Sequence, residues 1–544
     1  MRQTGDILSQ SEVFGTETGG VIRLRASVRA AQAVALLLGF YVLGIGTIIV
    51  LLVLDIVAVR FFNALGSGSI AMLLFFVPAT VLACVTVARG VGATARLDGA
   101  DMRGVAVTPE AEPELWARVQ ALAATMGTRG PRRILISPEV DAAVWESSHL
   151  LGLFPGRRYL ILGLPLLLAL SPAQMDAVIA HELGHYGNYD TRLGPVVNRG
   201  RAGILTALRA AEKNVLVIGV GPVTPKRTEP RGWWYFVLTL RFYAHLFFSL
   251  TQATSRAQEY AADRASALAF GRDNAVSALA ELPVIAMAYR FYLDGYAYLG
   301  LPVGLVPEPA QVIGGFSSLM NDPQRADWLD RFRRDPADTG KTSRFDSHPP
   351  LTDRLAVLRT LPDDGLTSDD PAGQRAAGIL RHQQSLLVAV GKELLGSTAA
   401  GKAPVDWDSL VDTAMFHRTD QAAAPLINAA AAVTGMATPT PEALVDAVDA
   451  GRLTEILDRL APSGARSRDA ASVLAPLLRA WILVRFAERG QVRWIHSWSG
   501  PTVLQAPPGL PEALDAAIAV LLGPEPDCAP LRAVLSGGSE QNAR

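Results

Sequence analysis

Cysteine is nearly absent from this chain of 544 residues: Cys84 and Cys528 are its only two. One lies in an apolar run and the other near the tail, so they make no disulfide framework, and neither belongs to a C-x-x-C pair, so neither suggests zinc ligation. A surplus of charge of one sign is missing too. The 50 Lys and Arg nearly balance the 51 Asp and Glu, for a net charge of -1, which argues against nucleic acid as a partner. A secretory signal is also lacking, because the first apolar run starts about thirty residues in and no small-residue cleavage site follows it. Histidine is scarce, with 8 in all. His382, His417 and His496 have no carboxylate or cysteine at ligand spacing, and residues 374–535 contain no Gly-rich phosphate loop.

What the chain does have is apolar surface. Half of its residues are hydrophobic and the mean hydropathy is +0.24, which points to a membrane, and the length exceeds one ordinary domain. Residues 1–29 read as a retained cytoplasmic tail. Ala30 to Leu54 carries no charge and is long enough to cross a hydrocarbon core of roughly 30 Å. Asp55 and Arg60 mark its exit, and Phe61 to Ala88 is again uncharged. Residues 30–89 therefore read as a transmembrane helical hairpin. Arg23, Arg25 and Arg29 precede it, Arg89, Arg96 and Arg103 follow it, and the loop between holds only Arg60. The positive-inside rule then puts the amino terminus and the catalytic region in the cytoplasm.

The chemistry is concentrated in SPAQMDAVIAHELGHYGN, Ser171 to Asn188. Ser171 suits an N-cap, Pro172 the first helical position and Gln174 the third, a capping box. Met175, Val178, Ile179 and Leu183 recur at helical spacing, and Gly187-Asn188 offers a left-handed exit. On that helix His181 and His185 lie four apart, on one face, so both imidazoles reach one metal ion. Glu182 lies about 100° round the helix, beside a metal-held water rather than on the metal, where a general base belongs. A hydrolytic zinc needs a third protein ligand. Ser255 to Asp263, SRAQEYAAD, is a second helical run with Glu259 and Asp263 four apart; one can ligate the metal while the other receives the outer N–H of a ligand imidazole.

HELGH, then SRAQEYAAD, then SHPPLTDRLAVL, in that order between about Pro131 and Leu358, resembles the membrane-embedded zinc metallopeptidases that include HtpX and the CAAX prenyl proteases. The resemblance implies one zinc per chain held by His181, His185 and Glu259, with Glu182 as general base and Asp263 behind a ligand imidazole. It further implies that His348 and Arg354 contact substrate and the tetrahedral intermediate.

Pro109 to Met126 reads as an amphipathic helix. Arg132–Ser137 and Arg158–Leu162 read as short strands, with Ala142 to Val144 a further candidate; in zinc peptidases of this class an edge strand binds extended substrate by strand addition. Because His181, His185 and Glu259 must meet on one side of the membrane, the chain between them crosses an even number of times or not at all. The preferred reading is one long helix from Trp233 down to Glu259, partly membrane-associated; a third and fourth span is the alternative. Residues 274–306 fit either a core helix or a membrane surface. Asn321 to Arg344 reads as a polar loop, and Pro362 to Gly373 as a linker.

The expected fold is mainly α with a small β-sheet: a zincin-type α+β metallopeptidase unit over 90–361, an N-terminal transmembrane hairpin, a linker at 362–373, a helical C-terminal domain over 374–535 and a disordered tail at 536–544. The expected function is a membrane-anchored zinc endopeptidase of the bacterial-type plasma membrane. It would face the cytoplasm, act on membrane-associated protein or peptide substrates in quality control, and offer its C-terminal domain to partner proteins. Two alternatives remain: processing of CAAX tails, for which no isoprenoid pocket is marked, and a membrane-bound sensor or scaffold, against which an intact general base argues.

Overall fold

The computed structural model describes residues 17–64, 80–81, 84–85, 103–149, 154–185, 203–209, 231–334, 349–362, 370, 373–460, 470–523 and 525–540. The fold is mostly helical with small sheets. It divides into two compact units, Met1–Ile285 with Asp335–Gln383, and Ala286–Arg334 with Gln384–Arg544.

The first unit begins with α1 (Glu17–Ala64), of which Leu38–Phe61 has a mean hydropathy of 2.8 and none of its most apolar window buried. The helix starts inside the expected polar tail. The second expected span lies largely outside the described residues, although Thr80 donates to the Asp55 carboxylate at 2.8 Å. A four-stranded sheet follows, in the order β1 (Val105–Val107), β2 (Arg133–Ser137), β4 (Phe154–Gly163), β3 (Ala142–His149). Only the β2–β4 pair is parallel. Ile134 and Ile136 are buried on either side of half-exposed Leu135, and Leu160 and Leu162 match them across the ladder. These four side chains are buried, as are Val107 of β1 and Leu115, Val119 and Leu122 of α2 (Pro113–Thr125). At the end of β4, a Cβ on Gly163 would stand 2.2 Å from the Glu139 carbonyl oxygen. Glycine is thus required for the loop after β2 to fold back, with the Gly163 N–H donating to the Asp141 carbonyl at 2.7 Å. That fold-back starts β3 along the free side of β4, making β3 an edge strand.

Beyond β4 lie α3 (Leu164–Ala169), fully buried, and α4 (Pro172–Gly184). The expected long helix is present as α5 (Arg231–Phe270), 40 residues unbroken. Its upstream half packs on α1 and residues 203–209 through Phe40, Ile204, Leu240, Phe247 and Phe248, while Leu238 and Phe242 face outward. α6 (Arg272–Tyr292) follows, and the division between units falls inside it.

In the second unit, β5 (Leu305–Pro307) pairs in parallel with β6 (Ala403–Val405). Residues 286–334 thus share a compact unit with the C-terminal helices. Its core lies between α11 (Trp407–Thr434) and α14 (Ala470–Glu488), through Leu410, Leu426, Leu474, Leu478 and Trp481, and α15 (Leu510–Leu521) completes it. Around it stand α7 (Gln311–Met320), α10 (Gln383–Leu395), α12 (Pro441–Asp449), α13 (Leu453–Leu460), a ribbon of β7 (Arg493–Ile495) and β8 (Val503–Gln505), and α16 (Ala529–Glu540). Gly451, at φ 78, parts α12 from α13. Two expectations are corrected here. The polar loop at 321–344 is helical as α8 (Ala326–Arg334), because Asp322 caps the preceding turn and Leu329 supplies a buried anchor. The tail expected to be disordered from Ser536 continues α16 to Glu540, carried by buried Leu531 and Leu535.

Candidate metal centre

The helix that carries the His pair is specified locally. Ser171 accepts from the Gln174 N–H and the Gln174 side chain accepts from the Ser171 N–H, the full capping box, with Pro172 at the first position. Met175, Val178, Ile179 and Leu183 are buried on one face. His185 is the C-cap, with φ -58 and ψ -18. It therefore keeps the helical spacing to His181, and their rings stand 4.9 Å apart between centroids. The expected exit at Gly187-Asn188 lies outside the described residues.

α5 supplies the partner face. Ser266 donates to the Ala177 carbonyl at 2.7 Å, binding the two helices side by side. Where they cross, a Cβ on Gly184 would sit 3.3 Å from the Ala262 Cα, so glycine allows the close approach. Gly184→Val should cost about 1–3 kcal/mol through forced separation, read as a lower Tm; a variant as stable as wild type would contradict this crossing.

The approach brings Glu259 and Asp263, 6% and 4% exposed, onto the His pair. His181 Nε2 is 3.6 Å from Glu259 Oε2, and His185 Nε2 is 3.7 Å from Glu259 Oε1. These separations are long for direct hydrogen bonds. Two donors bound tetrahedrally at about 2.0–2.1 Å stand roughly 3.4 Å apart, so His181, His185 and Glu259 fit a zinc ion. On the far side of the imidazole, His181 Nδ1 lies 2.9 Å from Asp263 Oδ1, at an angle away from the ideal N–H line. Glu182 stands with the pair, the ligand atoms of His181, Glu182 and His185 all lying within 4.8 Å of one another.

Arg354, 8% exposed on α9 (Leu351–Arg359), holds Asp263 with two bonds, Nε to Oδ2 at 2.8 Å and Nη2 to Oδ1 at 2.6 Å. Its Nη1 is 3.5 Å from Glu259 Oε2. Its Nη2 also lies 3.4 Å from His181 Nε2, so the guanidinium lines the cavity while it holds the two carboxylates. His348 lies outside the described residues. His245 is exposed and fourteen residues up α5 from Glu259, about 21 Å along the axis, too far to join the cluster.

Burial works against a charge on His181, but the carboxylates of Asp263 and Glu259 beside it outweigh that and push the imidazole up to about 9. Burial likewise opposes charge on Asp263, yet its bonds to Arg354 and His181 hold the carboxyl below the ordinary range. A folded pKa above the unfolded 6.5 makes protonated His181 stabilising below about pH 6.5, and that contribution is lost as pH rises through about 9. Metal uptake near pH 7.5 should therefore release one proton from His181, and affinity should rise about tenfold per unit up to about pH 9. Calorimetric zinc titration in buffers of different ionisation enthalpy measures this; no proton release at pH 7.5 would contradict it.

A cavity of about 450 Å³ opens at the cluster, lined by His181, Glu182, His185, Asp263 and Arg354. Ala142 and Ala143 of edge strand β3 form one wall, and Leu166, Ala275, Ala278, Leu279, Leu282 and Leu358 give an apolar lining. The apolar wall from α6 carried no sequence signal, since its residues serve a core helix equally well. The arrangement can bind an extended peptide along β3 and present a peptide carbonyl to the His–Glu cluster.

A sequence profile for peptidase family M48 matches residues 109–361. Protease HtpX homolog 1 of Streptomyces coelicolor is 30% identical over 220 residues, covering 39% of this chain and 68% of the relative. The crystal structure of S. mikatae Ste24p is similar over 64% of this chain and 69% of that one, at 16% identity and a TM-score of 0.27, too loose a likeness to carry an argument.

Proposed function

Because this chain belongs to peptidase family M48, the HtpX and CAAX protease family of metallopeptidases, we propose that it is a zinc-dependent endopeptidase acting on membrane or membrane-proximal proteins in quality control. The observation that carries the reading is that the Glu259 carboxylate faces both His181 and His185, with Glu182 beside the pair, at a cavity walled by edge strand β3. An HtpX homologue among the relatives favours this role over processing of prenylated tails.

In this reading His181, His185 and Glu259 hold one zinc, which when bound polarises the scissile carbonyl and acidifies a water molecule. Glu182 takes the proton from the attacking water and passes it to the leaving amine. Asp263 fixes His181 with Nδ1 protonated and the Nε2 lone pair toward the cavity. Arg354 balances the charge of Asp263 and Glu259. The substrate backbone adds to β3, where the short side chains of Ala142 and Ala143 leave its approach clear.

The membrane part of the proposal is supported by Leu38–Phe61, long and apolar enough to cross a bilayer, and by outward-facing Leu238 and Phe242 on α5. Residues 1–29 would then be cytoplasmic, the hairpin would span 30–89, and the site would face the cytoplasm. Arg272–Val303 passes the same length test, but 39% of its most apolar window is buried, which favours a core helix.

The test is cleavage of an unfolded protein such as casein by the full-length protein, with products identified by mass. Internal cuts abolished by 1,10-phenanthroline and restored by zinc are expected. Cleavage indifferent to chelator would overturn the metal-dependent reading.

A further inference from the structure

A helix that starts with proline leaves few backbone donors to satisfy, and in α4 they can be counted. Pro172 has none. The Gln174 N–H goes to the Ser171 hydroxyl and the Met175 N–H to the Ser171 carbonyl. That leaves Ala173, whose N–H the local sequence does not serve. It donates at 2.8 Å to Asp370 Oδ2, 197 residues further on and beyond the segment matched by the family profile.

Asp370 does not act alone. Arg375 Nη1 donates to the Ala169 carbonyl at 2.5 Å and the Ala376 N–H to the Leu170 carbonyl at 2.9 Å, so both residues just before the Ser171 cap are held. Further along, the N–H groups of Arg381 and His382 donate at 2.6 and 2.9 Å to Glu112, a carboxylate only 1% exposed at the start of α2. Arg118 of α2 pairs with Asp176 on the second turn of α4, within reach of the field of Asp370. Asp370, in the stretch that reads as a linker, and the residues just after that stretch are therefore hydrogen-bonded to α4, to the end of α3 and to the start of α2.

We propose that Asp370 and residues 373–382 form a strap belonging to the metallopeptidase unit, and that Asp370 is a positioning residue that completes the N-terminal cap of the helix carrying His181, Glu182 and His185. The strap is where chain outside the family segment takes hold of the metal helix. Loosening it frays α4 from its first turn and blurs the placement of His181, less than three turns away.

The experiment compares full-length wild type, Asp370→Ala and Asp370→Asn by hydrogen exchange of the peptide covering 172–180 and by zinc affinity. The affinity arm rests on the metallopeptidase reading; the exchange arm does not. Loss of a cap corresponds to about a fivefold change in the local opening equilibrium. Asp370→Ala should therefore speed exchange at the start of α4 about fivefold and weaken zinc binding by a similar factor. Asp370→Asn, whose amide oxygen still accepts from Ala173, should stay within about twofold of wild type. Arg375→Ala, which leaves the cap in place, should loosen 166–171 instead and stands in if Asp370→Ala does not fold. Exchange in α4 unchanged by Asp370→Ala, or Asp370→Asn as damaging as Asp370→Ala, would overturn the proposal. If wild type binds no zinc, the metallopeptidase reading fails and the exchange data alone decide on the strap.

Discussion

Glu182→Gln should lower kcat for casein cleavage by between about 10² and 10⁴, the range supplied by a positioned general base, while leaving the zinc content at one per chain. The substitution is isosteric, so the cavity keeps its shape and only the proton acceptor is lost. Its selectivity follows from where Glu182 sits: next to the His pair in the cavity lining, but one residue off the face that His181 and His185 share. Loss of zinc in this variant would make Glu182 a ligand instead. Retention of a tenth or more of wild-type kcat would remove it from the reaction.

The second large effect is expected behind the metal. Asp263→Ala strands the Arg354 guanidinium, 8% exposed, and removes the group facing His181 Nδ1. Breaking a buried pair from one side costs about 3–5 kcal/mol, and loss of the carboxylate behind a ligand imidazole weakens metal binding about 10–100-fold. Unfolding of the zinc-stripped protein reports the first and competition with a chelator the second. Asp263→Asn should fall between, since it keeps an oxygen toward the cluster but not the charge. Asp263→Ala with wild-type stability and wild-type zinc affinity would show that the pair does neither job.

The parts of the fold that could be read from the sequence are those that local chemistry fixes. α4 is written in full between Ser171 and Leu183, because its cap, first turn and apolar stripe are all near neighbours in the chain. α5 follows from an apolar run continuous with the Glu259 motif, and β2 and β4 from short branched-aliphatic runs. The single β3 wall of the cavity was one candidate among three strands, since edge position depends on pairing and not on composition. What escaped was set by contacts distant in sequence. Asp370 looks like any acid in a Pro- and Gly-rich stretch until its carboxylate is seen on Ala173. Residues 321–334 look like a charged loop because α8 has few apolar anchors, of which Leu329 is the buried one. Arg354 was found through the family motif, but its commitment to Asp263 and Glu259 is visible only in the geometry.

The central claim is that two imidazoles and one carboxylate of this chain hold a single zinc. Zinc K-edge X-ray absorption on the full-length protein tests it most directly. The account predicts one zinc per chain, nitrogen and oxygen scatterers at about 2.0–2.1 Å with the outer-shell pattern of two imidazoles, and no sulfur. In Glu259→Ala the imidazole pattern should persist while the first shell changes. A sulfur shell near 2.3 Å, or no zinc in protein purified with zinc present, would contradict it.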